Sequence, residues 1–247
     1  MKLLDLTLPC PAENLACDEA LLDAAEAGAG GEVLRFWEPR EHFVVVGYAN
    51  KVAAEVNALA CEARGIPILR RCSGGGTVLQ GPGCLNYTLI LRITADGPFH
   101  NIGSANRFIM ERNRTAIESL FRTFNLQPST FNLSICGHTD LAIGGRKFSG
   151  NSQRRRRHFL LFHGTFLLNF DLSLVSELLP MPSKQPDYRE HRTHDRFLTN
   201  LNVSADKVKV AMRQAWQAEE PLKNPPMEKI TALTRDKYST REWNFKF

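Results

Sequence analysis

The chain has 247 residues, of which 43% are hydrophobic and 23% are charged, and its formal net charge at pH 7 is +5. This composition is sufficient for an ordinary buried core in one large domain or two small ones, and the positive charge favours anionic partners. No run of about 18 uncharged apolar residues is present, and acidic residues follow the first methionine too closely for a secretory signal, so a cytoplasmic protein with no membrane span is expected.

The first half of the chain alternates predicted helices with short predicted strands. Apolar residues recur at helical spacing in residues 13–27 and in KVAAEVNALACEARG, where Gly65 ends the second helix. The stretches EVLRFWEP, HFVVVGYAN and IPILRRCS are rich in strand-forming residues, and the first two are expected to be neighbouring strands. After three consecutive glycines, LNYTLILRI is expected to form a buried strand.

The second half begins with the longest predicted helix, residues 103–125. DLAIGGRKFSGNSQ predicts a hairpin that turns at Gly144 and Gly145, and HFLLFHGTFLLNFDL predicts another buried strand or strand pair. The proline-rich and charged stretch LLPMPSKQPDYREHRTHDR is expected to be a loop or cap region. SADKVKVAMRQAWQA predicts a last helix, which is followed by a tail with little core signal.

Helices and strands are mixed without strict βαβ alternation along the chain. This order predicts an α+β fold with a mixed, largely antiparallel sheet flanked by helices. A single domain over residues 1–247 is expected, with a core at about 1–204 and a helix and tail at 205–247.

Three consecutive glycines, Gly74–Gly76, follow two arginines in the stretch RRCSGGGTV. Glycine lacks a Cβ, so a ligand could lie directly on this main chain, and its N–H groups could form a nest for an anion. Arg70 and Arg71 would add planar donors for a phosphate or a carboxylate. The pattern matches neither a P-loop nor a dinucleotide-binding fingerprint, and a flexible hairpin connection is the alternative.

Lys147 stands between the predicted turn and a second group of small residues, Ser149, Gly150 and Ser152. A lysine at a strand edge is usually a solvated charge. Because a second glycine-rich segment is present, however, this ammonium could be a fixed cation that stabilises the charge developing in a transfer reaction. The two segments together indicate a phosphate site.

His163 and Asp140 are weaker candidates. His163 lies between bulky apolar residues in FHGTF, where a satisfied core histidine is more common than a catalyst, and Gly164 after it allows close approach. Asp140 could hold Mg²⁺ or a ribose, with a turn carboxylate as the alternative. The six cysteines contain no CxxC pair or His/Cys cluster, which argues against a structural zinc site or a redox dithiol.

Four consecutive arginines, Arg154–Arg157, follow the lysine hairpin. Such a run is generally a solvated face, and it could also steer an acidic protein partner. No interleaved aromatic pattern of the kind that an RNA-binding sheet requires is present, so nucleic acid is not an expected partner.

Four stretches together resemble the lipoate protein ligase family, which shares its catalytic domain with biotin protein ligases and octanoyltransferases. They are NLACDEALL, RFWEPREHFVVVGYANKVAAEVN, RRCSGGGTVLQGPGCLNYTL, and DLAIGGRKFSGNSQ with HGTFLLNFDL. They follow the family's order and span roughly residues 13–172. The glycine loop combined with the lysine hairpin is the most specific part of the resemblance.

The resemblance implies the biotin/lipoate ligase catalytic fold and a two-step reaction. A lipoate or octanoate carboxylate attacks the α-phosphate of ATP, with Mg²⁺ as cofactor, to give an acyl adenylate and pyrophosphate. A lysine amine of an acidic lipoyl-acceptor domain then attacks the acyl carbon and expels AMP. By resemblance, Lys147 is catalytic and Asp140 lies near the metal and nucleotide. The residues expected to bind the acid or the adenylate are Arg70, Ser73, Gly74, Gly75, Gly76, Thr77, Asn86, Asp140, Ser149, Gly150, His163, Gly164 and Thr165.

The chain departs from the family pattern at two places. Gly81 or Pro82 stands where the family commonly has an aspartate, which puts a metal or pyrophosphate contact in doubt. The larger ligases also carry an accessory C-terminal domain of about a hundred residues, for which residues 205–247 are too short. A separate small accessory protein could supply it.

The main alternative is an octanoyltransferase, which would transfer the acyl group without ATP through a cysteine thioester. Cys136, four residues before Asp140, lies close to where the cysteine of one such group falls. Against it, octanoyltransferases more often carry TGGR where this chain has SGGG. Biotin as the substrate, and a non-catalytic nucleic-acid-binding relative that uses the arginine run, are further alternatives.

Overall fold

The computed structural model describes residues 1–123 and 132–247, and a large sheet lies at its centre. The strands are β1 (Lys2–Asp5), β2 (Val33–Trp37), β3 (Phe43–Val46), β4 (Ile68–Arg70), β5 (Val78–Gln80), β6 (Cys84–Arg92), β7 (Leu133–Cys136), β8 (Asp140–Ile143), β9 (Arg146–Arg155), β10 (Phe159–Leu167) and β11 (Glu220–Pro221). Eight of them form one sheet in the order β11-β1-β2-β6-β10-β9-β8-β7. Five of its seven pairings are antiparallel, so the predicted α+β fold with a largely antiparallel sheet is confirmed.

Helices cover both faces of the large sheet. The α-helices among the described residues are α1 (Pro11–Glu26), α2 (Val52–Glu55), α3 (Ala58–Ala63), α4 (Ile102–Thr123), α5 (Ser173–Leu178), α6 (His194–Phe197), α7 (Ala205–Trp216), α8 (Met227–Leu233) and α9 (Arg241–Asn244). Side chains alternate across the central strand β6, so Leu89 packs in the core formed with α4 and α7, and Ile90 packs in the core formed with α1. None of the helices among the described residues has both the length and the apolar character needed to cross a bilayer.

Strands β2 and β3 belong to different sheets, so the prediction that they are neighbours is wrong. β2 pairs with β1 and β6 in the large sheet, whereas β3 lies between β4 and β5 in a separate sheet of three strands. Every residue of β2 and β3 is buried, so neither strand has the polar alternation that would indicate its sheet. The chain from β4 to β5 carries the glycine loop, residues 73–77.

Two helix predictions change in detail. The predicted second helix forms two short helices, α2 and α3, because the backbone is extended at Val56 and the Asn57 side chain accepts a hydrogen bond from the Ala60 N–H at the start of α3. The longest helix is confirmed as α4, although residues 124 and 125 of the prediction lie outside the described residues. The hairpin of β8 and β9 is also confirmed, with positive φ at Gly144 and Gly145.

The C-terminal segment is part of the core, so the prediction of a tail with little core signal is wrong. Ile230 in α8 and Tyr238 are buried against α1. The Tyr238 hydroxyl donates to the Glu19 carboxylate at 2.7 Å, and the Asn244 side chain accepts from the Arg70 N–H at 2.9 Å. The segment therefore packs behind β4, the strand that leads into the glycine loop.

Candidate active site

A cavity of about 310 Å³, called the main cavity below, lies between the small sheet and the large one. Its lining includes Gly75 and Gly76 from the glycine loop, Lys147 from β9 and His163 from β10. Lys147 also lines an adjoining side pocket of about 130 Å³. The structure thus brings the glycine loop and Lys147, which are far apart in sequence, to one site.

The carbonyl groups of Gly74, Gly75 and Gly76 are all held by side chains. The Arg71 guanidinium donates to the Gly74 carbonyl at 2.6 Å and to the Gly76 carbonyl at 2.7 Å. The Asn50 amide donates to the Gly75 carbonyl at 3.2 Å. These bonds fix the path of the loop from behind.

The amide groups of the same loop are unused. Within the described part of the chain, the N–H groups of Gly74, Gly75 and Gly76 donate to no protein acceptor. Gly75 has a φ of +84°, and a Cβ there would lie 2.9 Å from the Arg71 guanidinium, so only glycine fits. A run of free amide donors at a cavity wall can bind an anion.

Arg70 does not contribute to the cavity, although it was expected to contact a phosphate. Its side chain is fully buried, and its guanidinium donates to five backbone carbonyls. The carbonyls belong to Gly47, Tyr48, Asn50, Trp243 and Asn244. Arg71, the next residue, points the other way and lines the main cavity. Arg70 therefore has a structural role, whereas Arg71 lines the main cavity.

Lys147 is held in place by Asp140. Its ammonium lies 2.9 Å from one carboxylate oxygen of Asp140, and the other oxygen accepts from the Tyr188 hydroxyl at 2.7 Å. Burial and the neighbouring Asp140 carboxylate raise the pKa of Tyr188, so the hydroxyl keeps its proton and remains a donor. A Cβ at Gly150 would lie 2.6 Å from the Lys147 Cε and Nζ atoms, which explains the glycine at that position.

Asn86 and Thr165 form a closed triangle of hydrogen bonds with Gln80 at the cavity wall. Gln80 donates to the Thr165 hydroxyl at 2.7 Å, that hydroxyl donates to Asn86 at 2.5 Å, and Asn86 donates back to Gln80 at 3.0 Å. Thr77, which lines both the main cavity and the side pocket, accepts from the Asn50 amide at 3.3 Å. Their side chains are fixed before any ligand arrives.

The small residues of β9 and β10 let the strands pack closely around the cavity. Gly164 lines the main cavity, and a Cβ there would lie 1.6 Å from the Asn151 side-chain oxygen, which accepts from the Tyr87 hydroxyl at 2.6 Å. Ser149 is buried and lines the side pocket. Any side chain at Gly164 would displace Asn151 and the hydrogen bond it makes with Tyr87.

His163 is bonded at both ring nitrogens. Its Nε2 lies 2.6 Å from the Ser73 hydroxyl, and its Nδ1 lies 2.9 Å from the Asp18 carboxylate. Asp18, in α1, also pairs with the fully buried Arg35 at 2.6 Å. His163 and Asp18 line the main cavity, whereas Ser73 is buried beside it.

The residues do not form a metal site of their own. Both oxygens of Asp140 are engaged, with Lys147 and Tyr188. Across residues 1–123 and 132–247, no three His, Cys, Asp or Glu side chains gather so as to hold an ion. The role of Asp140 in binding Mg²⁺ stays a prediction, and Mg²⁺ bound by this single carboxylate would take its other oxygen ligands from a substrate or water.

Cys136 ends β7 and is half-buried, with its sulfur 3.4 Å from the Ser134 hydroxyl. It does not line the main cavity or the side pocket, although the nearby His138, Thr139 and Asp140 line the main cavity. All six cysteines lie within the described residues, and none of their thiols lines either space.

The arginine run is largely engaged in internal contacts rather than forming a free cationic face. Arg154 donates to the Cys72 carbonyl at 2.7 Å, Arg155 donates to the Phe99 carbonyl at 2.6 Å, and Arg156 pairs with Asp23 at 2.9 Å. The run therefore joins the end of β9 to Cys72 just before the glycine loop, to the segment before α4 and to α1.

Several cavity residues were not expected from the sequence. They are Asp18, Gln80, Asn151, Lys184, Tyr188 and Arg189, all of which line the main cavity or bond to its lining. Lys184 and Arg189 lie in the proline-rich stretch that was expected to be a loop or cap. No local pattern marks Asp18, because it is one acidic residue in a helix and its partner His163 lies 145 residues away.

Comparison with known proteins agrees with this geometry. The family described as "Lipoyl protein ligase A/B catalytic domain" matches residues 10–217. "Octanoyltransferase LipM" of Geobacillus kaustophilus is 27% identical, over 96% of this chain and 94% of its own length. "Lipoate--protein ligase 1" of Staphylococcus aureus is 28% identical, over 95% of this chain and 70% of its own length.

A solved structure shares the fold over nearly the whole chain. It is a crystal structure of lipoate-protein ligase A bound with ATP, with 27% identity, a TM-score of 0.77, and coverage of 99% of this chain and 98% of its own. The matched family model spans most of the sequence, including the glycine loop and the lysine hairpin. The chain therefore belongs to the lipoyl protein ligase A/B catalytic-domain family of enzymes, which includes lipoate–protein ligases and octanoyltransferases.

Proposed function

We propose that the chain attaches a lipoyl or octanoyl group to a lysine of a carrier protein, and that it first activates the free acid with ATP as an acyl adenylate. The observation that carries the proposal is that the Lys147 ammonium and the backbone of Gly75 and Gly76 line one cavity. A fixed cation and free amide donors can together stabilise charge on the α-phosphate and on the acyl carbonyl of a mixed anhydride.

The charges of the lining favour an anionic ligand. The cationic side chains at the main cavity are Arg71, Lys147, Lys184 and Arg189. The two carboxylates there, Asp18 and Asp140, are already paired with Arg35 and Lys147. Burial lowers the pKa of Arg71 to about 10, so its guanidinium still carries its charge at neutral pH.

The apolar parts of the lining fit the two ends of an acyl adenylate. Leu15, Trp37 and Val45 line part of the main cavity, and the side pocket is lined by apolar residues such as Leu79 and Phe170. Lys147 lines both spaces. An acyl adenylate has an acyl chain on one side of its charged anhydride and an adenine ring on the other. Its two ends would therefore contact these two apolar surfaces, with the anhydride beside Lys147.

In the first step, an oxygen of the acid would attack the α-phosphorus of ATP, and the bond to pyrophosphate would break. The Lys147 ammonium would turn from Asp140 to the phosphate and stabilise the developing charge. In the second step, the lysine amine of the carrier would attack the acyl carbon, and the bond to AMP would break. Lys147 would stabilise charge on the same oxygens again.

The acceptor belongs to the proposal as well. An acidic lipoyl domain suits a chain whose net charge is +5, because opposite charges raise the rate of encounter. We also propose that the described fold acts as one catalytic domain and that a separate small accessory protein could assist it.

An octanoyltransferase is the second candidate, and the curated relatives favour it. The relative from Geobacillus kaustophilus is an octanoyltransferase and matches this chain over nearly its full length. The reaction would pass through a thioester on a cysteine, for which Cys136 is the candidate. The adenylate route is favoured by the structure of the site, because Cys136 lies outside the lining of both the main cavity and the side pocket.

Exchange of labelled pyrophosphate into ATP separates the two candidates. The adenylate route predicts exchange that requires lipoate or octanoate and that is unchanged in Cys136→Ala. Cys10→Ala is the matched control, because Cys10 is the other half-buried cysteine. The transferase reaction predicts a different result: no exchange, and octanoyl transfer from a thioester donor. That transfer would be lost in Cys136→Ala and retained in Cys10→Ala, and this outcome would identify the chain as an octanoyltransferase.

A further inference from the structure

A chain of hydrogen bonds links the glycine loop to helix α1 through His163. The Ser73 hydroxyl lies 2.6 Å from Nε2 of His163, and Nδ1 of His163 lies 2.9 Å from the Asp18 carboxylate. Arg35 pairs with the other oxygen of Asp18 at 2.6 Å. Two of these side chains, His163 and Asp18, reach the main cavity.

The partners determine where the protons lie. Although burial opposes ionisation, the Arg35 guanidinium and the His163 ring hold the pKa of Asp18 below its ordinary value, so Asp18 is a carboxylate that only accepts. Nδ1 of His163 must then carry the ring proton. Nε2 is left as an acceptor, and the Ser73 hydroxyl donates to it.

Ser73 also has room for one more donor. Its oxygen accepts a hydrogen bond from Arg71 Nε at 3.1 Å, which uses one of its two lone pairs. The second lone pair has no donor among the described residues. The hydroxyl is buried beside the main cavity and next to His163 in its lining, and the relay requires a ligand amine to reach it there.

We propose that Ser73, His163 and Asp18 form a proton relay that takes the proton from the amine of the carrier lysine. The proposal rests on the acyl-transfer function above and holds for either route of activation. The lysine ammonium gives one proton to the Ser73 oxygen, and the Ser73 proton passes to His163 Nε2. The neutral amine nitrogen then forms its bond to the acyl carbon, and its second proton leaves with the departing group. The bond from the acyl carbon to its leaving group breaks, and that group departs with the electron pair.

The reaction needs such a base because a lysine side chain has a pKa of about 10.4 and is protonated at neutral pH. Lys147 is a cation paired with Asp140, so it cannot take a further proton. Asp18 stabilises the imidazolium that forms on His163, and Arg35 keeps Asp18 charged, so both act as positioning residues.

The test compares two nucleophiles for the same acyl group. Hydroxylamine is largely uncharged at neutral pH and needs no base, whereas a lipoyl-domain lysine does. We expect Ser73→Ala and His163→Asn to lose about 10²- to 10⁴-fold in transfer to purified lipoyl domains, and to form the hydroxamate from hydroxylamine near the wild-type rate. Asp18→Asn should behave like them, because an amide donor opposite Nδ1 forces the other tautomer.

Ser152→Ala is the matched control for the anchoring of the loop. The Ser152 hydroxyl donates to the Gly74 carbonyl at 2.8 Å but has no place in the relay, so its loss should affect both nucleophiles to the same extent. Equal losses with both nucleophiles in Ser73→Ala would overturn the relay and leave only an anchoring role. Ser73→Ala keeps the buried pair of Asp18 and Arg35, so it should fold even if Asp18→Asn does not. A wild-type chain that makes neither product would instead overturn the proposed function.

Discussion

Replacing Lys147 by methionine should reduce acyl transfer to the carrier by about 10²- to 10³-fold. Methionine keeps most of the apolar volume of the side chain and removes the ammonium. Among the described residues, Lys147 is the only lysine that lines both the main cavity and the side pocket. The loss should appear in kcat more than in the KM for the acid, because the charge to be stabilised develops in the transition state.

The fold should tolerate this change. Asp140 loses its ion pair but keeps the hydrogen bond from the Tyr188 hydroxyl. Lys229→Met, which removes a surface lysine of α8 that pairs with Asp23 at 3.7 Å, is the matched control and should retain full activity. A Lys147→Met protein that melts normally and transfers the acyl group at the wild-type rate would exclude Lys147 from the chemistry.

Replacing Arg70 by methionine should lower the free energy of unfolding by about 3–5 kcal/mol. The guanidinium is fully buried and joins residues 47–50 to residues 243–244 through their carbonyl oxygens. Methionine leaves these carbonyls without a donor in a dry environment. Urea unfolding followed by circular dichroism measures the loss, and limited proteolysis should release the segment that contains α9.

Arg70→Lys distinguishes this structural role from the phosphate contact that the sequence predicted. An ammonium has three donors and cannot replace the planar guanidinium at five carbonyls, so we expect a loss of stability with little change in the KM for ATP. Arg241→Met, at an exposed position of the same helix α9, should leave stability unchanged within about 0.5 kcal/mol. A stable Arg70→Lys protein with a raised KM for ATP would restore the direct contact.

The parts of the fold that could be predicted are those set by local patterns. The two glycines between β8 and β9 take up the positive φ that a tight hairpin needs, and the apolar period of α4 extends over most of its length. The placement of β2 and β3 in different sheets could not be predicted, because both strands are fully buried and show no polar alternation. The packing of Tyr238 on α1 depends on a contact across more than two hundred residues.

The site shows the same division. The glycine loop and Lys147 could be identified because their residue types are unusual and match a family pattern. The roles of Arg70 and Arg71 could not be told apart, since adjacent strand residues point to opposite sides and the sequence does not state which side faces the cavity. The position of Cys136 outside the lining also depends on tertiary packing, as does the bond from Tyr188 to Asp140.

Intact-mass analysis of a purified lipoyl domain distinguishes ATP-dependent attachment of a free acid from transfer of a preformed acyl group. The domain is incubated with the chain and free octanoate or lipoate, with or without ATP, and separately with an octanoyl thioester donor and no ATP. We expect the free acid to be attached to the domain only when ATP is present, with one AMP released for each acyl group. Acylation from the thioester donor alone, with none from free acid and ATP, would contradict the adenylate route.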